Sequence, residues 1–179
     1  MLSAPDKRSY VAVGFSGKGG MVGSTAMVAW SPSSSSGRRK GVAKEYYLQG
    51  RSPEAVTPDD GRLTLVRNRT ATISSSGRLY LAFELSTDHP QPYLIYSVGY
   101  EGSIPSSDDD FKLQMHRDMG SRGFNYASGT PSIQPHSAGV VRKITLFFLF
   151  GSPTVDLCVC AQRRSLAEEA DRADRKSVV

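Results

Sequence analysis

The sequence predicts an all-β chain, folded as a β-sandwich or barrel. Three observations lead there. Apolar residues recur at every second position in several short segments, which is the period of a half-buried strand. Clusters of Gly, Ser, Pro and Asp separate those segments at short intervals. No amphipathic helix longer than three turns is legible before residue 160. The composition agrees: 25 Ser, 17 Gly and 10 Pro among 179 residues mark a turn-rich chain. A hydrophobic content of 39% with 22% charged residues excludes a collagen-like chain, a coiled coil and a multi-span membrane protein.

Taken in order, the first predicted strand is Ser9 to Ser16, with Val11, Val13 and Phe15 on one face. Gly17-Lys18-Gly19-Gly20 turns the chain into a second strand, Ser24 to Trp30. Ser33 to Gly37 and the basic cluster Arg38-Arg39-Lys40 read as a solvated loop tip before a strand at Ala43 to Gln49. Pro58-Asp59-Asp60-Gly61 is a turn, and Thr70 to Ser74 is the next strand. After Ser74 to Gly77, alternation is clearest in Arg78 to Leu85, where Leu79, Leu81, Phe83 and Leu85 share a face. Asp88-His89-Pro90 separates it from Tyr93 to Val98. Asp108-Asp109-Asp110 lacks the ligand spacing of a calcium loop and reads as a solvated turn. Phe111 to His116 alternates too, with Phe111, Met115 and Leu113 on the core side and His116 opposite.

Beyond about Thr130 the pattern changes. Ile144 to Phe150 is an apolar run. Extended to Ala161 it reaches 18 residues, but Gly151, Ser152, Pro153 and Asp156 interrupt it, which argues against a membrane span. Arg163 to Lys176 pairs charges at i,i+4 with almost no apolar face, as a frayed helix or disordered tail would.

The net charge of +5 does not point to a nucleic-acid surface. Between Ser9 and Thr130 there are 13 Lys and Arg against 11 Asp and Glu, a surplus of 2, and no single element concentrates it. Cys158 and Cys160, two apart, fit neither a disulfide framework nor a four-ligand zinc site. Asn68-Arg69-Thr70 is a glycosylation sequon, of consequence only in the secretory pathway. Met1 to Tyr10 shows no apolar leader segment.

Elimination narrows the chemistry. Gly14-Phe15-Ser16-Gly17-Lys18-Gly19-Gly20 fails the phosphate-loop spacing, since Ala12 and Gly19 stand where Gly and Ser or Thr are needed. It fails the dinucleotide fingerprint at Val22. No G-x-S-x-G elbow and no H-E-x-x-H helix exists. What remains is soft: the methionines Met1, Met21, Met27, Met115 and Met119, and the histidines His89, His116 and His136. An imidazole and a thioether can hold haem iron from its two sides, which leaves no open position for oxygen chemistry and suits electron transfer. A methionine in a β-protein is also an ordinary gap-filler, so residue types alone leave both readings open.

Several blocks carry a resemblance that separates these readings. They are Tyr10-Val-Ala-Val-Gly-Phe-Ser, Gly20-Met-Val-Gly-Ser-Thr-Ala-Met-Val-Ala-Trp30, Glu45-Tyr-Tyr-Leu, Arg78-Leu-Tyr-Leu-Ala-Phe-Glu-Leu, Leu94-Ile-Tyr-Ser-Val-Gly, and His116-Arg-Asp followed by Phe124-Asn-Tyr. In this order they resemble plant DOMON domains of the cytochrome b561 and DOMON domain-containing type, over about residues 9 to 130. The resemblance implies an Ig-like β-sandwich with an irregular C-terminal tail over 131–179. It implies one b-type haem held between Met21 and His116, with Met27 as second choice for the sulfur. It further implies an electron carrier with no catalytic residues of its own, passing single electrons in an ascorbate-linked chain to a partner such as a membrane cytochrome. The expected location is the extracellular face of the plasma membrane or the secretory pathway. Against family members that carry a leader, opening strands and a helical membrane bundle, the chain reads as truncated at both ends. The alternatives are a haem-free carbohydrate- or protein-binding sandwich, with Tyr46, Tyr47, Tyr93, Tyr96 and Tyr100 as contact surfaces, or a non-functional fragment.

Overall fold

The alternating segments become strands because each can bury one row of side chains while the other row meets water or a second layer. The structure is a computed structural model. It describes residues 1–32, 39–59, 61–87 and 90–126, together with the strand backbone at 130–132, 144–145, 156–157 and 160–161. The strands are β1 (Leu2–Pro5), β2 (Tyr10–Ser16), β3 (Ser24–Trp30), β4 (Arg39–Lys40), β5 (Val42–Leu48), β6 (Val56–Pro58), β7 (Ala71–Ser75), β8 (Arg78–Ala82), β9 (Glu84–Leu85), β10 (Tyr93–Gly99), β11 (His116–Asn125), β12 (Thr130–Ser132), β13 (Ile144–Thr145), β14 (Asp156–Leu157) and β15 (Cys160–Ala161). Single 3-10 turns at Pro53–Ala55 and Ser107–Asp109 complete the described elements.

Two antiparallel sheets form an all-β sandwich. One has the order β12-β11-β10-β2-β3-β5-β6 and the other β14-β1-β8-β7-β4; a small third sheet joins β15, β13 and β9. Val11, Val13 and Phe15 of β2 and Met27 and Ala29 of β3 meet Leu79, Leu81, Phe83 and Leu85 between the sheets. The clearest sequence alternation thus forms the heart of the core, and Met27, 2% exposed, is part of it. Phe15 and Phe83 pack edge to face at 6.1 Å.

The opposite face of β2 and β3 is covered as well. Tyr10, Ala12, Ala26, Val28 and Trp30 join Tyr46, Leu48, Val56 and Leu113 in a second apolar cluster on the outside of the seven-stranded sheet. The segment between β10 and β11 supplies its lid. This explains why β2 is buried along its whole length rather than alternately.

Three sequence expectations change. Phe111 to Met115 is not extended: Asp110 and Phe111 take positive φ (52 and 56), and Phe111 N–H donates to Ser106 O at 2.8 Å. The strand begins at His116. Leu113 is buried in the outer cluster, but Met115 is 73% exposed, so its expected core position is wrong. Arg39 and Lys40 are a strand paired with Ser74 and Ile73 rather than a loop tip. Leu2–Pro5, too short to show alternation, pairs with β8 on one side and β14 on the other, with Leu2 and Ala4 in the core. Ser33 to Gly37, His89, most of the 144–161 apolar run and the charged 163–176 stretch lie outside the described residues. Among those described, no helix is long and apolar enough to cross a membrane.

Candidate functional site

Strand register decides what shares a face, because residues directly opposite on neighbouring strands point the same way. Tyr10, Ala12 and Gly14 alternate onto the outer face of the seven-stranded sheet. Opposite them on β10 stand Gly99 beyond the paired Val98, then Ser97 and Ile95. Opposite those on β11 stand His116, Met119 and Ser121, with a bulge between Val98 and Gly99 that accommodates Arg117. His116 is therefore the end member of a column on the outer face, and it is half-buried.

Met21 reaches the same face from the other end. The turn between β2 and β3 carries Gly19 and Gly23 at positive φ (78 and 81), which lets it fold tightly. Gly19 lies so close to β10 and β11 that a Cβ there would meet Ser121 Oγ and the Tyr93 ring, both at 3.1 Å. Ser16 and Ser24 hydroxyls both donate to Gly20 O, at 2.8 and 2.7 Å, and fix the backbone just ahead of Met21. Met21 itself is half-buried against the outer cluster. Met21 and His116 thus border one face, with the turn reaching to within five residues of His116 along β11.

The surface between them is mixed: Ala12, Gly14, Ala26, Ser97 and Ser121 are small, but Ile95 packs over Gly14, where a Cβ would stand 2.7 Å from its Cγ1, and Ala12 and Ala26 lie buried in the outer cluster. Among the described residues the exposed large hydrophobics are Met1, Val22, Tyr100, Met115 and Met119. Of these, strand register places Met119 on this face, opposite Ser97; Val22, Met115 and Tyr100 adjoin Met21, His116 and Gly99 in sequence.

In the comparisons, the chain is 42% identical over 140 residues to a cytochrome b561 and DOMON domain-containing protein of Arabidopsis thaliana, covering 76% of this chain and 37% of that one. A second Arabidopsis protein of the same description is 33% identical over 138 residues, covering 75% of this chain and 33% of that one. The chain is a relative of the plant DOMON-containing proteins. It spans about a third of the length of these relatives. No protein-family profile and no solved structure matches it.

In this DOMON relative two tyrosines hold the approach to His116: Tyr10, which the sequence did not single out, and Tyr46, expected there only as a contact surface. Tyr10 donates its hydroxyl to Gln114 O at 2.8 Å, and Tyr46 donates to Phe111 O at 2.6 Å. Burial raises the pKa of both phenols well above the ordinary value, so they remain neutral donors. The Phe111 ring is further held by Trp30 at 6.0 Å and by Lys44 Nζ at 4.4 Å. Period-two reading from Tyr10 places it opposite Val11, but a bond spanning 104 residues leaves no local trace. Tyr46 is fully buried, so it offers no contact surface, whereas Tyr100 is 51% exposed.

A separate open cavity of about 610 Å³ lies at the β4–β7 edge, lined by Lys40, Gly41, Ala43 and residues 70–73. It holds neither thioether nor imidazole, so size does not make it the redox candidate. No group of three or more His, Cys, Asp or Glu is assembled among the described residues.

Proposed function

We propose that this chain is a b-type haem-binding electron-transfer domain in which Met21 and His116 would hold the haem iron. The observation that carries the reading is that both residues, each half-buried, belong to the outer face of the seven-stranded sheet, with Met119 exposed on that face. The residues present suit the group in kind: haem iron accepts one thioether and one imidazole. The relatives' printed names, which join cytochrome b561 to DOMON, support the same class.

Haem bound there supplies a one-electron couple and nothing more. Met21 offers a soft donor that favours the ferrous state and raises the potential. His116 offers a ring nitrogen, and Tyr10 and Tyr46 fix the backbone from which it projects. Held by both residues, the group would pass single electrons and leave no position for bond chemistry. We assign it to an ascorbate-linked chain, with a membrane cytochrome as partner at the extracellular face of the plasma membrane.

Absorption spectroscopy of the full chain reconstituted with haem tests this. Wild type is expected to give a low-spin reduced spectrum with sharp visible bands. Met21→Ala and His116→Ala are expected to lose it while circular dichroism still reports β-structure. Met27→Leu, a volume-conserving core change, is expected to keep it. An unchanged spectrum in both alanine variants, or none in wild type, would overturn the assignment.

A further inference from the structure

We infer that Asn68 is the acceptor of an N-linked glycan. The chain contains two asparagines, Asn68 and Asn125, and only Asn68 begins an Asn-x-Ser/Thr sequon. The fold then presents that sequon as an acceptor needs it. Val66 to Arg69 is a turn closed by Arg69 N–H donating to Val66 O at 3.2 Å. Asn68 occupies its third position with φ 58, a left-handed conformation that asparagine tolerates better than most residues.

The base of the turn is anchored and its tip is free. Val66 N–H donates to Glu84 O at 2.9 Å, Leu65 bridges Leu85, and Arg69 Nε lies 3.8 Å from the Glu84 carboxylate. Asn68, Arg69 and Thr70 are all exposed. Among the described residues, none engages the Asn68 amide or the Thr70 hydroxyl. Both reacting side chains are therefore available without local unfolding.

The donor is a lipid-pyrophosphate-linked oligosaccharide. Asn68 Nδ2 forms the bond to the anomeric carbon, the bond from that carbon to the pyrophosphate oxygen breaks, and the amide nitrogen loses one proton. The lipid pyrophosphate leaves, and nothing is oxidised or reduced. Asn68 leads into β7 of the five-stranded sheet, whereas Met21 and His116 border the outer face of the seven-stranded one. The glycan and the proposed haem do not compete for surface.

The experiment is expression of the full chain behind a cleavable secretory leader in yeast, with a second sequon appended after Val179 to report entry into the lumen. Two glycans are expected on wild type, both removed by an N-glycan-releasing amidase, with Asn68 identified by glycopeptide mass. Asn68→Gln and Thr70→Ala are expected to carry only the appended glycan, and Thr70→Ser to carry both. Wild type bearing the appended glycan alone would overturn the inference. The haem spectrum of Asn68→Gln is expected to match wild type, so failure here is separable from failure of the redox reading.

Discussion

Tyr10 and Tyr46 fix the backbone just ahead of His116 from the sheet beneath. A typical buried hydrogen bond contributes about 1 kcal/mol net, so Tyr10→Phe and Tyr46→Phe should each lower stability by roughly that much in urea titrations. A purely structural role would stop there. If the hydroxyls also position His116, the phenylalanine variants should bind haem with a smaller low-spin fraction and a shifted potential, while Tyr80→Phe, on the other sheet, should leave both unchanged. Another residue-scale test concerns close approach. A Cβ on Gly41 would stand 2.3 Å from Thr72 Cγ2 and 2.7 Å from the backbone oxygen of Trp30. Overpacking of this kind costs typically 1–3 kcal/mol, so Gly41→Ala should lower the thermal midpoint clearly. Gly20→Ala, with no atom within 4 Å of its Cβ, should not.

At the scale of elements, the strands that pack between the sheets were legible because burial on one side only writes a period of two. β2, β3, β5, β7 and β10 agree with their expected bounds within a residue, whereas the run expected from Arg78 to Leu85 is split at Phe83 into β8 and β9. Phe111 to His116 mimicked that period by coincidence: its apolar residues serve an outer lid, and two positive φ values end any extended run. β1 was invisible because four residues cannot show alternation, and its neighbours lie about 75 and 154 residues away in sequence. The candidate ligands were read from a resemblance, while the face that unites them depends on pairing across β2, β10 and β11, which no local pattern encodes. Glu45 shows a further tertiary role. Its carboxylate, 3% exposed, accepts from Gly61 N–H at 3.1 Å and Leu63 N–H at 2.7 Å. Glu45→Ala would strip both donors of their acceptor, and hydrogen exchange over residues 61–63 should accelerate with a stability loss of about 1–3 kcal/mol.

For the whole molecule, the buried phenols set the alkaline limit. Tyr10, Tyr46 and Tyr126 all have pKa values raised by burial. An unfolded tyrosine loses its proton near pH 10, whereas these hold theirs above that. The folded state thus binds more protons than the unfolded one at high pH. Their stabilising contribution is complete below about pH 10 and is lost as pH rises further. Urea midpoints should stay level on this account up to about pH 10 and fall above it, less steeply in Tyr10→Phe. The sandwich also divides labour between its sides: the seven-stranded sheet carries the proposed redox face, and the Asn68 turn belongs to the five-stranded one.

The pairing of β1 with β14 constrains how the protein is made. Leu2 sits opposite Leu157, so the outer edge of β1 stays unsatisfied until a segment far along the chain is in place. Until then a short apolar strand offers open backbone groups to any passing chain. Non-local pairing of this sort is slow to form, and the open edge stays exposed to aggregation while it forms.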